Sequence, residues 1–182
     1  MDESQLIEGC KNRDNDARKY LYEHYARKMF GLCLRYTDDY DAAQDVLQDG
    51  FLKIYERIHG FSGQGSLEGW MKRIFVNTAV DHIRKQKNSV SFDDVVWKEE
   101  AEEDAHEASE ISSELSADKL FTMIKQLPKG YATAFNLLAV EGFSSKDVAQ
   151  MMQISEGGVR SQYARARKLL KKMIQEYQNQ IG

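Results

Sequence analysis

Between Ser89 and Asp118 the chain reads SVSFDDVVWKEEAEEDAHEASEISSELSAD, with eleven Asp or Glu and a single Lys. Blocks of like charge with few large apolar residues resist burial and form solvated linkers. The stretch therefore divides the chain into residues 1–88, an acidic linker at 89–116, and residues 117–182. A surface helix is the alternative, since EEAEEDAHEASE contains good helix formers, but its weak apolar stripe favours the linker. The division also resolves the charge balance. The whole chain carries 25 basic and 29 acidic residues, yet 24 of the bases and only 18 of the acids lie outside the segment. An acidic protein thus has two basic flanks.

Both flanks read as helix. One Pro in 182 residues, with abundant Ala, Leu, Lys, Glu and Gln, leaves little that would interrupt helices. In the first flank SQLIEGCKN is a short helix. A second is predicted from Asp14 to Tyr36, with Ala17, Leu21, His24/Tyr25, Met29 and Leu32 at helical spacing. A third, Asp39 to Ile58, carries Ala43, Leu47, Gly50/Phe51, Ile54 and Ile58 on one face. The glycines of HGFSGQG end it, and Ser66 is placed to cap a fourth helix, SLEGWMKRIFVNTAVDHIRKQ. In the second flank, helix is expected from Leu120 to Gln126 and again to about Val140, with Pro128 in the first turn of the latter. Ser144 and Asp147 form an S-x-x-D start for KDVAQMMQ. The fold class is all-α, with two small helical domains.

A short capped helix, a tight turn and ISEGGVRSQYARARKLLKK together match a helix-turn-helix. Six of these nineteen residues are Arg or Lys. Ser155 can cap the second helix, where Val159, Tyr163, Ala166, Leu170 and Met173 form an apolar stripe. Arg160, Ser161, Ala164, Arg165, Lys168 and Lys172 occupy a different face. A recognition helix needs this division, because one side packs while the other enters the major groove. Arg can hold a guanine edge with two hydrogen bonds, and Ser161 can serve bases or phosphates. Gln153 stands where such turns often use glycine, and Gly157 and Gly158 loosen the start of the second helix.

Several function classes find no support. No run approaches the roughly 18 apolar residues of a membrane span. The polar N-terminus, MDESQLIEGCKNRD, is not a secretory signal, so a cytoplasmic protein is expected. Cys10 and Cys33 form no CxxC pair and the four histidines are scattered, so both thiols are read as buried and no metal or other cofactor is expected. No P-loop or nucleophile with a recognisable base is present, which argues against an enzyme. A free-standing regulator, with the first flank as sensor or dimerisation domain, is the other reading of the helix-turn-helix.

LPKGYATAFNLLAVEGFSSKDVAQMMQISEGGVRSQYARARKLLKKM resembles the C-terminal DNA-binding domain of extracytoplasmic-function sigma factors, the small sigma-70-type initiation subunits of bacterial RNA polymerase. YDAAQDVLQDGFLKIYERIHGFSGQGSLEGWMKRIFVNTAVDHIRKQ resembles their N-terminal domain. The resemblance covers essentially the whole chain, in order, around a variable linker. It implies a transcription initiation factor that directs core polymerase to promoters through the −10 and −35 elements. By the resemblance, Asp41, Gln44, Asp45, Gln48, Asp49 and Leu52 of the third helix would bind the β′ coiled coil of the core, which also presents its β subunit. Acids, amides and one apolar anchor suit a basic, partly apolar partner. Asn77 matches the base-pocket asparagine of the −10 region, with Lys72, Arg73, Arg84, Lys85 and Lys87 to hold phosphates. On chemistry alone, Asn77 can equally be a hydrogen-bonded core amide. Trp70 is expected to pack within the domain. Arg160, Ser161, Ala164, Arg165 and Lys168 would meet the −35 element. The resemblance further implies an anti-sigma factor, in many members anchored in the membrane, and association with the nucleoid within holoenzyme, without direct membrane insertion.

Overall fold

The computed structural model describes residues 2–86 and 115–181, and among them every regular element is helical. The acidic stretch expected as a linker lies outside the described residues except for Leu115 and Ser116, and so does Lys87. The chain divides into two compact units, Met1–Asn88 and Ser89–Gly182. Among the described residues no helix is long and apolar enough to cross a membrane.

The first unit comprises α1 (Glu3–Lys11), α2 (Asn15–Tyr36), α3 (Tyr40–Arg57), a 3₁₀ turn (Ile58–Gly60) and α4 (Leu67–Gln86). Each α-helix begins at a side chain that accepts otherwise unpaired backbone N–H groups. Asp2 and Gln5 form a reciprocal capping box, Asp14 accepts from Asp16 and Ala17, and Asp39 accepts from Ala42. Ser66 accepts from Gly69 at 3.1 Å, as its position in the sequence predicts. The expected stripe of α2 is buried at Ala17, Leu21, Met29 and Leu32. Tyr25 is only half-buried and His24 is exposed, the His24 ring lying 5.8 Å from Tyr20 and nearly parallel to it. Ala43, Leu47, Gly50, Phe51, Ile54 and Ile58 are all buried, and Phe51 meets Phe75 of α4 edge-on at 5.2 Å.

Both cysteines are buried free thiols. Burial pushes Cys33 from 9.0 to about 12. Tyr55, whose hydroxyl donates to the Arg18 carbonyl at 3.1 Å, is pushed from 10.0 to about 12, again mainly by burial. These groups stay neutral in the fold and ionise at lower pH once the chain opens. Their contribution is therefore full below the unfolded values and is lost as pH rises toward the folded ones. The melting temperature of the first unit should accordingly fall above about pH 9. Cys33→Ala should flatten part of that fall, which a pH series of thermal melts followed by near-ultraviolet circular dichroism would reveal.

The second unit comprises α5 (Ala117–Gln126), α6 (Lys129–Phe135) continued by a π turn (Asn136–Val140), α7 (Ser145–Met152) and α8 (Glu156–Ile181). Helix α5 starts three residues ahead of the expected Leu120, because the Ser116 hydroxyl accepts from Lys119 at 3.2 Å. Pro128 is not in the first turn of α6 but directly before it, with ψ at 141°. Its carbonyl still accepts the first helical bond, from Ala132 at 3.0 Å. The Ser144 hydroxyl accepts from the Asp147 backbone at 3.1 Å and donates to its carboxylate at 2.9 Å, so the S-x-x-D start is realised. Met123, Ile124, Leu127, Tyr131, Ala166 and Leu170 form a core, with Leu115, Leu120 and Met173 packed at its edge. Val148, Met152 and Val159 are buried in the α7–α8 pair.

Candidate polymerase and nucleic-acid interfaces

One side of α3 is spent on the core and the other faces outward. Asp41, Asp45, Gln48 and Leu52 follow one another at steps of four, three and four residues, flanked by Gln44 and Asp49, and all six are exposed. Leu52, 53% exposed, is the one apolar side chain among these six. Sequence reasoning overlooked Tyr40. It is 59% exposed at the start of α3, one turn before Gln44, and meets Phe30 edge-on at 4.9 Å. Its place directly after the Asp39 cap was the available signal, since an aromatic there begins the outward stripe.

On α4, Arg73, Asn77 and Arg84 recur at steps of four and seven residues and so share one stripe. Asn77 is half-buried, and its amide donates to the Arg73 carbonyl within the same helix at 2.8 Å. Arg73 and Lys85 are exposed. Lys72 points elsewhere: it reaches Glu68 at 3.3 Å, and Lys28 of α2 reaches the same carboxylate at 2.7 Å. The Lys28 hydrogen bond, followed by that of Lys72, holds Glu68 below its usual range. Arg84 pairs with Asp81, which lies 3.8 Å from Lys53 of α3. Lys72 and Arg84 therefore already have carboxylate partners. Before α4 the exposed loop 62–66 carries Gly63 and Gly65 at φ 76° and 82°, a backbone only glycine adopts readily. Phe61 anchors the loop 5.3 Å from Trp70, which packs within the unit as expected.

In the second unit three residues, Gln153, Ile154 and Ser155, join α7 to α8. Gln153 does take the left-handed conformation, at φ 56° and ψ 43°, with its N–H donating to the Ala149 carbonyl. A side chain there costs about 1–2 kcal/mol relative to right-handed backbone. The Ser155 hydroxyl accepts from Gly158 at 3.0 Å. A methyl on Gly158 would sit 3.3 Å from that oxygen, so glycine lets the cap close tightly, while Gly157 has more room. Along α8, Val159, Ala166 and Leu170 are buried, with Tyr163 and Met173 half-buried. Gln162, only 7% exposed, completes the packing side. Hydrophobic periodicity passes over an amide, although its spacing from Val159 and Ala166 marks it. Arg160, Ala164, Lys168 and Lys172 are exposed at steps of four, with Ser161 and Arg165 half-buried on the shoulder. This side combines a guanidinium able to make paired bonds, a small residue permitting close approach, and lysines for phosphates.

Residues 21–89 match the family Sigma-70 region 2, and residues 117–170 match Sigma-70, region 4, so the class of protein is a sigma subunit of bacterial RNA polymerase. The RNA polymerase sigma-H factor of Pseudomonas aeruginosa is 34% identical over 183 aligned positions, covering 95% of this chain and 94% of that protein. The ECF RNA polymerase sigma-E factor of Haemophilus influenzae is 33% identical over 185, covering 96% of each. In fold the chain resembles the sigma factor RpoE of Bartonella quintana, crystallised with the anti-sigma factor NepR, at TM-score 0.55 and 21% identity, covering 86% of this chain and 96% of that one. The chain belongs to the extracytoplasmic-function group of the sigma-70 family and directs promoter-specific transcription initiation.

Proposed function

We propose that this sigma factor divides its work among three helix faces. The outward stripe of α3 (Asp41, Gln44, Asp45, Gln48, Asp49 and Leu52) binds the β′ coiled coil of the polymerase core. On α4, Asn77 takes an unpaired base of the −10 element while Arg73, Arg84 and Lys85 hold backbone phosphates. Lys72 contributes there after exchanging Glu68 for a phosphate. On α8, Arg160, Ser161, Ala164, Arg165 and Lys168 read and hold the −35 element. Bond formation belongs to the polymerase, and this chain contributes binding and strand opening without enzymatic activity of its own. It acts in the cytoplasm, at the nucleoid when part of holoenzyme. An anti-sigma factor holds it inactive, a reading supported by the structural relative crystallised with one.

The observation that carries this assignment is the division of α8 into a buried and an exposed side. Its buried residues Val159, Gln162, Ala166 and Leu170 lie opposite exposed Arg160, Ala164 and Lys168, which is what a helix seated in a groove requires. The test is reconstitution with bacterial core polymerase and a promoter library. Formation of a stable holoenzyme and promoter-dependent transcripts is expected. Arg160→Ala should weaken the preferred promoter by about 1–3 kcal/mol and relax preference at one position. Lys172→Ala should weaken all sequences alike. Uniform weakening by Arg160→Ala would move that residue to a phosphate. Tight binding to duplex promoter without polymerase would favour a free-standing regulator over the initiation subunit.

A further inference from the structure

An aspartate in the middle of a face that holds phosphates works against binding unless it does something else. Asp81 is such a residue. It lies one turn beyond Asn77 on α4, on the side that carries Arg73 and Arg84. Its two oxygens are engaged by different helices: Arg84 of α4 pairs with one, and Lys53 of α3 lies 3.8 Å from the other. Lys53 is held a second time, donating to the Thr78 hydroxyl at 3.1 Å, and that hydroxyl in turn donates to the Ile74 carbonyl at 2.8 Å. Lys53, Asp81 and Arg84 are all partly exposed, and the Nε of Arg84 is buried. The ends of two long side chains are thus gathered around Asp81, one turn beyond Asn77, where α3 packs on α4. The group keeps a net positive charge.

We propose that Asp81 is a positioning residue for the −10 strand, and that Lys53 of α3 is a further phosphate-binding residue. Asp81 holds the Arg84 and Lys53 heads together before DNA arrives, so the cost of ordering them is met during folding. One phosphate of the unpaired strand then meets both cations while its base reaches Asn77. The inference rests on the reading of α4 as the −10 face.

The test uses holoenzyme reconstituted with core polymerase. The probe is a fluorescent single-stranded oligonucleotide carrying the −10 region of a promoter selected by that holoenzyme, titrated over a range of salt concentrations. Asp81→Asn removes a negative charge from the DNA-facing side, so simple electrostatics demands tighter binding. Positioning demands the opposite, a loss of about tenfold. The salt slope should also become shallower by about 0.7 for each phosphate that is no longer neutralised. Asp81→Glu should recover part of both. Lys53→Met, which keeps the aliphatic stem, should show the same change in slope, and it carries the test if Asp81→Asn lowers the melting temperature. Unchanged or tighter binding by Asp81→Asn with an intact fold, or an unchanged slope in Lys53→Met, overturns the proposal. Arg84→Ala separates this from the underlying reading. If Arg84→Ala leaves binding untouched, α4 is not the −10 face. If it weakens binding while the Asp81 and Lys53 variants do not, only the positioning role fails.

Discussion

Gly50→Val should cost the first unit about 3 kcal/mol, because a side chain at this position overlaps the ring of Phe75. For a unit of this size that corresponds to a fall in melting temperature of roughly 12–24 °C. Phe75 is fully buried and is wedged against Phe51, so it cannot swing away. Gly50 and Phe51 both lie on the core face of α3, and the missing Cβ is what lets the α4 ring sit directly on the α3 backbone. The decisive comparison is Gly50→Ala. Helix propensity alone would make alanine more stable by about 1 kcal/mol. Ring overlap makes it less stable, and Phe75→Leu in the same chain should recover part of the loss. A Gly50→Ala protein that melts above the parent would show that the close approach does not set this position.

Reversing two charges on α3, Asp45→Lys with Asp49→Lys, should weaken association with core polymerase by at least about a hundredfold, since like charges facing each other in an interface cost several kcal/mol. Both residues are exposed on the outward side of the helix, so the melting temperature should stay close to that of the parent. Leu52→Asp separates the apolar contribution. With 53% of its surface open to solvent, it can be replaced without disturbing the core. A loss of about tenfold is expected from removing an apolar anchor at the interface. Core binding can be followed by fluorescence anisotropy of labelled sigma factor. Parent-like affinity for the double reversal would remove α3 from the polymerase interface.

Much of this organisation is legible in the residues because helices announce themselves through local chemistry. Asp14, Asp39, Ser66, Ser144 and Ser155 are recognisable as starts because a short polar side chain before an apolar repeat has one obvious use, accepting a backbone N–H. The left-handed turn at Gln153 was likewise readable from the spacing between two helices, although glutamine is a poor residue for it. The buried Gln162 and the exposed His24 show where pattern fails. A periodicity rule scores residue types, whereas burial depends on which neighbouring helix is present. His24 sits at the expected interval, but Tyr25 fills the half-buried place and leaves the imidazole outside, stacked on Tyr20.

The candidate interfaces divide in the same way. Sequence alone determined the all-helical class, the helix-turn-helix and the outward residues of α3 and α8, since a 3.6-residue repeat assigns both faces of a helix once one is apolar. Only tertiary structure decided which charges meet across helices. The Lys72–Glu68 pair is four residues apart on α4 and so is legible locally, but Lys28 of α2 joins the same carboxylate only because the two helices pack. Lys53 and Asp81 are far apart along the chain and meet only because α3 packs on α4. The need for glycine at position 50 has the same origin, for it lies in the Phe75 ring of another helix. Local hydrogen bonding, periodicity and ion pairs one helical turn apart are written along one chain segment, while ion pairs between helices and close packing arise between segments that folding brings together.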